Sequence, residues 1–246
     1  MISSKPQEQP AFLAGGPLPH HIAIIMDGNR RWAADRRLPA AEGYRRGMIA
    51  LREITIACSR LGIPFLTVYG FSEENWKRSW SEISILFELC CVFARAELQA
   101  LCRENVRVKM LGRYEALPQA PREALQSLVE NTAGNTGTIL TLAVNYSARG
   151  EMRDAVRTLA EDVRGGRVAP ETITDATLSA YLYTADMPDP DLLIRPGGEL
   201  RLSNFLLYQV AYTELWMTET QWPDFTREHL KVALAEYQRR QRRYGS

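Results

Sequence analysis

Short runs along the chain are continuously apolar or β-branched: HIAIIM (21–26), FLTVYGF (65–71), VRVKML (106–111), TILTLAV (138–144) and DLLIR (191–195). Runs of this length, without alternation, predict strands buried on both faces. Between them the spacing becomes helical. Ile83, Leu86, Phe87, Cys90, Ala94, Leu98 and Leu101 lay one apolar stripe along a helix over residues 80–103. Strand alternating with helix predicts an α/β fold, with right-handed crossovers and a mainly parallel sheet covered on both faces. TELWM (213–217) predicts a sixth strand, following a short helix around residues 206–210. In such a sheet, ligands bind at the carboxyl ends of the strands.

At 246 residues, with no break in composition, the chain predicts one domain over residues 20–246. The first nineteen residues, MISSKPQEQPAFLAGGPLP, contain no apolar core of a signal peptide and predict a loose arm. No apolar stretch reaches the roughly 20 residues that span a bilayer. A net charge of +1 gives no general attraction to nucleic acid, so any basic chemistry must be local. Cys58, Cys90, Cys91 and Cys102 lack metal or disulfide spacing, which suits a reducing cytoplasm.

The candidate chemistry gathers where strands end. After the first strand come Asp27, Gly28, Asn29, Arg30, Arg31 and Trp32. Glycine admits a ligand close to the backbone, and arginine forks match phosphate oxygens. A carboxylate beside an anion is repulsive by itself, and Mg²⁺ bridging carboxylate and phosphate would resolve the conflict. The alternative for this motif alone is an Asx-type turn with surface arginines. After the second strand come Ser72, Glu73, Glu74, Asn75, Trp76, Lys77 and Arg78, which read equally well as the capped start of a helix. After the fifth come Arg195, Pro196, Gly197, Gly198, Glu199, Leu200, Arg201, Leu202 and Ser203. One such loop is weak evidence; three on one rim of a sheet outweigh the separate turn readings. Glu214 falls in the last strand, where an unpaired carboxylate would be costly.

HIAIIMDGNRRWA, FSEENWKR, NYSARGE, RPGGELRLSNFLLYQVAYTEL and WPDF follow one another in an order and spacing that resembles the cis-prenyltransferase, or undecaprenyl diphosphate synthase, family over residues 20–245. The resemblance implies a homodimer, a six-stranded mainly parallel sheet, and a hydrophobic product tunnel involving the 80–103 helix. It implies condensation of isopentenyl diphosphate with an allylic diphosphate, farnesyl or geranyl, toward an undecaprenyl-type Z-polyprenyl diphosphate. Asp27 and Glu214 match the family's Mg²⁺ carboxylates. Gly28, Asn29, Arg30, Arg31 and Trp32 match its diphosphate turn. Ser72, Glu73, Glu74, Trp76 and Arg78 belong to its second substrate segment, and Arg195, Arg201, Leu202 and Ser203 to its isopentenyl diphosphate site. Asn75 matches the position assigned to proton removal; an amide is a poor base, so the reading given to it is positioning of a proton path. Arg243, Tyr244 and Gly245 resemble the family's RxG tail, which reaches toward a partner subunit.

Several positions depart from that family pattern. Ala40 stands in place of an Arg, Tyr44 in place of a diphosphate-contacting His, Pro196 in place of Thr and Leu200 in place of His. Ser79, Ser147 and Ala148 also differ. Arg30 supplies a replacement cation. These departures keep open a short-chain or irregular coupling enzyme, and a noncatalytic partner subunit is a further alternative that the retained Asp27 disfavours. An enzyme of this kind is expected in the cytoplasm, with any membrane contact peripheral and made through its product.

Overall fold

The computed structural model of the chain describes residues 16–240. Its strands are β1 (His21–Ile25), β2 (Phe65–Ser72), β3 (Arg107–Leu111), β4 (Ile139–Tyr146), β5 (Leu192–Pro196) and β6 (Glu214–Thr218). They form one sheet in the order β3-β4-β2-β1-β5-β6, and every neighbouring pair is parallel. Alternation along β1 divides the interior. Ile22 and Ile24 enter the larger core, and Ala23 and Ile25 the smaller one on the opposite face. Because both faces are covered, the strand reads as an unbroken apolar run. Each isoleucine so buried contributes about 1.5 to 3 kcal/mol.

The helices are α1 (Asn29–Asp35), α2 (Ala40–Arg60), α3 (Trp80–Arg103), α4 (Gln119–Thr132), α5 (Ala148–Arg164), α6 (Asp175–Tyr181) and α7 (Arg227–Arg239). Residues of α2, α3, α4 and α7 build the larger core. The expected helix over 80–103 is α3. Ser79 caps it by accepting from the Glu82 amide, Glu82 sits in its first turn and Arg103 in its last, so both ends suit the helix dipole.

The short helix expected over residues 206–210 is instead a series of turns. Ser203, Asn204 and Leu206 have φ of 49°, 64° and 47°, left-handed values that a right-handed helix cannot contain. This irregular path seats Phe205 and Leu206 in the smaller core. The expected arm also differs at its end. Residues 1–15 lie outside the described residues, but Leu18 packs on the larger core and the Gly16 carbonyl accepts from Gln238 Nε2 at 2.5 Å. No described helix is long and apolar enough to cross a membrane.

β1 has β2 on one side and β5 on the other, and the chain leaves it in one direction and returns on the opposite side. A crevice forms beyond the carboxyl ends at such a switch of direction. The segments after β1, β2 and β5 meet there.

Candidate active site

The chain leaves β1 through Asp27 and turns at Gly28, whose φ of 98° and whose 2.9 Å separation between an added Cβ and Gln221 Cβ exclude any other residue without rearrangement. Behind this turn the Asp27 carbonyl accepts from the Trp222 amide at 2.9 Å, and Trp222 Nε1 donates to the Gly47 carbonyl at 2.9 Å. The WPDF segment therefore supports the turn and ties it to α2. At Gly43 an added Cβ would lie 2.0 Å from the Asn29 carbonyl oxygen, so α2 passes close enough to α1 to bring Tyr44 to the same crevice.

A cleft of about 610 Å³ lies over these ends, lined by Asp27, Gly28, Asn29, Arg30, Arg31, Tyr44, Ser72, Asn75, Arg78, Arg195, Arg201 and Ser203 among the expected site residues. Glu199, Tyr69 and Leu86 also line it. The guanidinium groups of Arg30, Arg31, Arg78, Arg195 and Arg201 outnumber the carboxylates of Asp27 and Glu199, which makes the cleft a receptor for a polyanion.

Asp27 is held on both sides. Oδ1 accepts from the Gly28 amide at 2.7 Å and lies 3.5 Å from Arg31 Nη2, and Oδ2 accepts from Arg195 Nη2 at 2.8 Å. Arg195 is 3% exposed. Its Nη1 donates to Ser203 Oγ at 3.0 Å and to the Arg201 carbonyl, while its buried Nε has no partner. Arg31 and Arg201 both pair with Glu199.

Ser72 precedes a 3₁₀ turn over Glu73–Lys77, so the cap reading of this segment is correct and does not exclude the cleft. Asn75 Oδ1 accepts from the Ser72 backbone amide at 3.1 Å. That contact fixes the amide's orientation, because a backbone N–H requires an acceptor. Only the Asn75 NH₂ group is left to face the cleft, as a donor.

Other expected residues lie outside the cleft wall. Trp76 packs against Phe71 and Phe87 and donates to Asn145 Oδ1 at 2.7 Å. Trp32 stacks under the Arg36 guanidinium at 4.4 Å. Glu73 is bound by Arg113 and Ser147, Glu74 accepts from Asn204 Nδ2 at 2.7 Å, and Leu202 packs against the smaller core. The structure thus gives these residues supporting contacts.

The expected pairing of Asp27 with Glu214 is not met within the chain. Glu214 is aligned with Leu192, and Leu192 with Ile22, so it is level with the start of β1. At about 3.3 Å per residue it lies on the order of 15 Å from Asp27 along the strands. It is not unpaired either: Oε2 accepts from Arg240 Nη1 at 2.9 Å. Among the described residues no group of three His, Cys, Asp or Glu side chains could hold a metal. Arg243, Tyr244 and Gly245 lie outside the described residues.

Beside the cleft lies an apolar cavity of about 60 Å³ between the sheet and α2, α3 and α4. Met26, Gly70 and Leu86 wall both spaces, and Met48, Leu51, Phe87, Cys90, Phe93, Leu125 and Leu142 line the inner one. A polyanion site sharing a wall with an apolar recess suits an enzyme for a substrate with a charged head and a hydrocarbon tail.

Comparison with known proteins gives this class a family. The chain matches, over residues 25–245, the family model described as "Putative undecaprenyl diphosphate synthase". It is 52% identical over 229 residues to an isoprenyl transferase from Geobacillus kaustophilus (strain HTA426), covering 93% of this chain and 89% of that protein. It is 50% identical over 228 residues to an isoprenyl transferase from Heliobacterium mobile, covering 93% and 88%. The fold superimposes on lavandulyl diphosphate synthase from Lavandula x intermedia, solved with dimethylallyl diphosphate, with a TM-score of 0.91 at 35% identity, covering 93% of this chain and 99% of that one. A probable undecaprenyl diphosphate synthase from Campylobacter jejuni gives 0.76 at 30% identity, covering 94% and 99%. The chain belongs to the undecaprenyl diphosphate synthase family of prenyltransferases.

Proposed function

We propose that the protein condenses isopentenyl diphosphate with an allylic diphosphate and extends a Z-polyprenyl chain. The observation that carries this reading is the shared wall of Met26, Gly70 and Leu86, which sets the arginine-rich cleft directly beside the apolar cavity. A diphosphate head bound in the cleft would direct its isoprenoid tail inward. Arg195, Arg201 and Ser203 would receive isopentenyl diphosphate, and the turn from Gly28 to Arg31 the allylic diphosphate.

In the reaction the allylic C–O bond breaks and diphosphate departs. The isopentenyl double bond attacks the allylic carbon, and loss of a proton from the isopentenyl unit completes the new chain. Arginines around the cleft stabilise the charge on the leaving diphosphate. Asn75, with its oxygen already occupied, would act as a donor that orients a diphosphate oxygen along the path of the departing proton; it is not the base.

The donor set fits Mg²⁺ in one way. A single carboxylate, Asp27, would hold the ion together with substrate phosphate oxygens and water, a mode that Mg²⁺ commonly uses. When bound, the ion would supply charge neutralisation of the diphosphate. Residues 214–218 form an edge strand, with Leu215 exposed on it and Tyr212 exposed just before it, and this edge is the surface to which we assign a homodimer contact. A cytoplasmic location, with peripheral membrane contact only through the product, follows from the same reading.

The test is incubation of the purified protein with Mg²⁺, labelled isopentenyl diphosphate and dimethylallyl, geranyl or farnesyl diphosphate, followed by mass analysis. Products lengthened by successive five-carbon units are expected. The narrow cavity and the high TM-score to lavandulyl diphosphate synthase favour a second reading, a short-chain or irregular coupling enzyme. Products of two isoprene units alone would select it. Activity only on addition of a different subunit would make this chain an accessory.

A further inference from the structure

Three groups on the cleft wall, remote from one another in sequence, converge on one carboxylate that does not line the cleft. Tyr44 of α2 donates its hydroxyl to Glu82 Oε1 at 2.5 Å. Arg78 Nη1 donates to the same oxygen at 3.0 Å and to the Tyr44 hydroxyl at 3.1 Å. Arg30 Nη1 lies 3.5 Å from Glu82 Oε2. Tyr44, Arg78 and Arg30 face the cleft, and Glu82 stands behind them with its side chain 15% exposed. Its own position is set by the first turn of α3, where Ser79 Oγ accepts from its amide at 3.3 Å.

A phenol has one proton to donate. That of Tyr44 goes to Glu82, and its lone pair receives Arg78, so Tyr44 brings no donor to an anion in the cleft. Burial, and then the bond to Glu82, push the Tyr44 phenol well above its ordinary range, so it remains a donor throughout the working pH range. Tyr44 therefore does not serve as a ligand to the anion. It is a strut between α2 and α3. With Nη1 occupied twice, Arg78 has Nη2 and Nε left for a ligand, in an orientation fixed by two partners.

We propose that Glu82 is a positioning residue for the diphosphate end of the cleft, holding Arg78 and Tyr44 in one rigid triangle without touching the ligand. This rests on the diphosphate-substrate reading above. The sign of its effect is what makes it testable. A carboxylate behind an anion site repels the anion, so a role through charge alone requires tighter binding when Glu82 is removed. A positioning role requires weaker binding.

The experiment is calorimetric titration of the full-length protein with inorganic pyrophosphate, accompanied by steady-state kinetics on an allylic diphosphate. Glu82→Ala is expected to weaken pyrophosphate binding about tenfold, the scale of one misplaced charge-assisted contact, and to raise KM more than it lowers kcat. Glu82→Gln, which keeps the oxygen acceptor, should recover most of the loss. The double variant Arg78→Ala with Glu82→Ala should bind no more weakly than Arg78→Ala alone. Unchanged or tighter binding in Glu82→Ala overturns the proposal, as does full additivity in the double variant. Should Glu82→Ala fail to fold, Glu82→Leu, which fills the space without an acceptor, takes its place, and unchanged or tighter binding there overturns the proposal equally. Wild-type protein that binds pyrophosphate with these dependences but couples no isoprenoid diphosphates would sink the substrate reading and leave the role of Glu82 standing.

Discussion

The two ends of the sheet treat polar groups differently. At the amino end the ionisable side chains His21, Asp191 and Glu214 are closed off, although Thr141 Oγ1 beside them has no partner: His21 Nδ1 meets the Pro188 carbonyl at 2.7 Å and Nε2 meets Thr67 Oγ1 at 2.8 Å. Asp191 Oδ2 accepts from the amides of His20 and His21, and Glu214 is held by Arg240. At the carboxyl end the partnerships are incomplete. Arg195 Nε is buried without a partner, and the donor side of Asn75 is open. A satisfied buried network stabilises a fold, whereas groups left short of partners mark the place where a ligand completes them.

The contrast is broken most directly at Asp27. Asp27→Ala removes the only carboxylate we assign to the ion, and turnover should fall by about 10³-fold or more while the protein still folds, measured as single-turnover coupling beside a thermal melt. Loss of activity smaller than tenfold would place the chemistry elsewhere.

At the closed end the expected effect is on stability. Burial holds the His21 pKa down at about 4, against an ordinary value of 6.5. Between these values the unfolded chain binds a proton that the folded one does not, so stability is complete above pH 6.5 and falls as pH drops toward 4. The loss is on the order of 3 kcal/mol. His21→Gln should flatten that window in denaturant melts taken at about pH 7 and about pH 4.5; a variant as acid-sensitive as the wild type would assign the loss to other groups.

Asn75→Asp separates acceptor from donor. It retains the oxygen that caps Ser72 and removes the NH₂ group facing the cleft, and kcat should fall by roughly thirtyfold to a hundredfold with little change in melting temperature. An unchanged single-turnover rate would remove Asn75 from the reaction. The smallest expected change in the reaction itself lies in the inner cavity. Leu142→Ala enlarges it, costs about 2 to 4 kcal/mol of stability, and should shift products by one or two isoprene units toward longer chains, read by mass.

What could be read from the sequence follows the same division. The strands were legible because burial on both faces makes HIAII and DLLIR continuous apolar runs, and α3 because its stripe has one period. The turns at 203–206 were not, since left-handed values at Ser203, Asn204 and Leu206 depend on tertiary support that no local pattern carries. Residues that line the cleft at strand ends, such as Asp27 and Arg195, were found by the rule that parallel sheets bind ligands there. Within one chain Glu214 lies at the opposite end of the sheet from Asp27, and the motif did not show this because it gives order along the chain but does not say which end of a strand a residue occupies. Trp32, Trp76, Glu73, Glu74 and Leu202 stand beside cleft residues in sequence, and their contacts with Arg36, Asn145, Arg113, Asn204 and the smaller core come from segments that no local pattern reveals. Glu82 and Asn204 had no signal, because their roles arise from partners on other segments.

A crystal structure with a nonreactive thiolodiphosphate analogue of the allylic substrate tests the central claim most directly. The diphosphate is predicted between Asp27 and the arginines of the cleft, with the hydrocarbon tail passing Leu86 into the cavity lined by Met48, Phe87 and Leu125. A tail lying outside that cavity, or a diphosphate bound away from Asp27, would contradict the account.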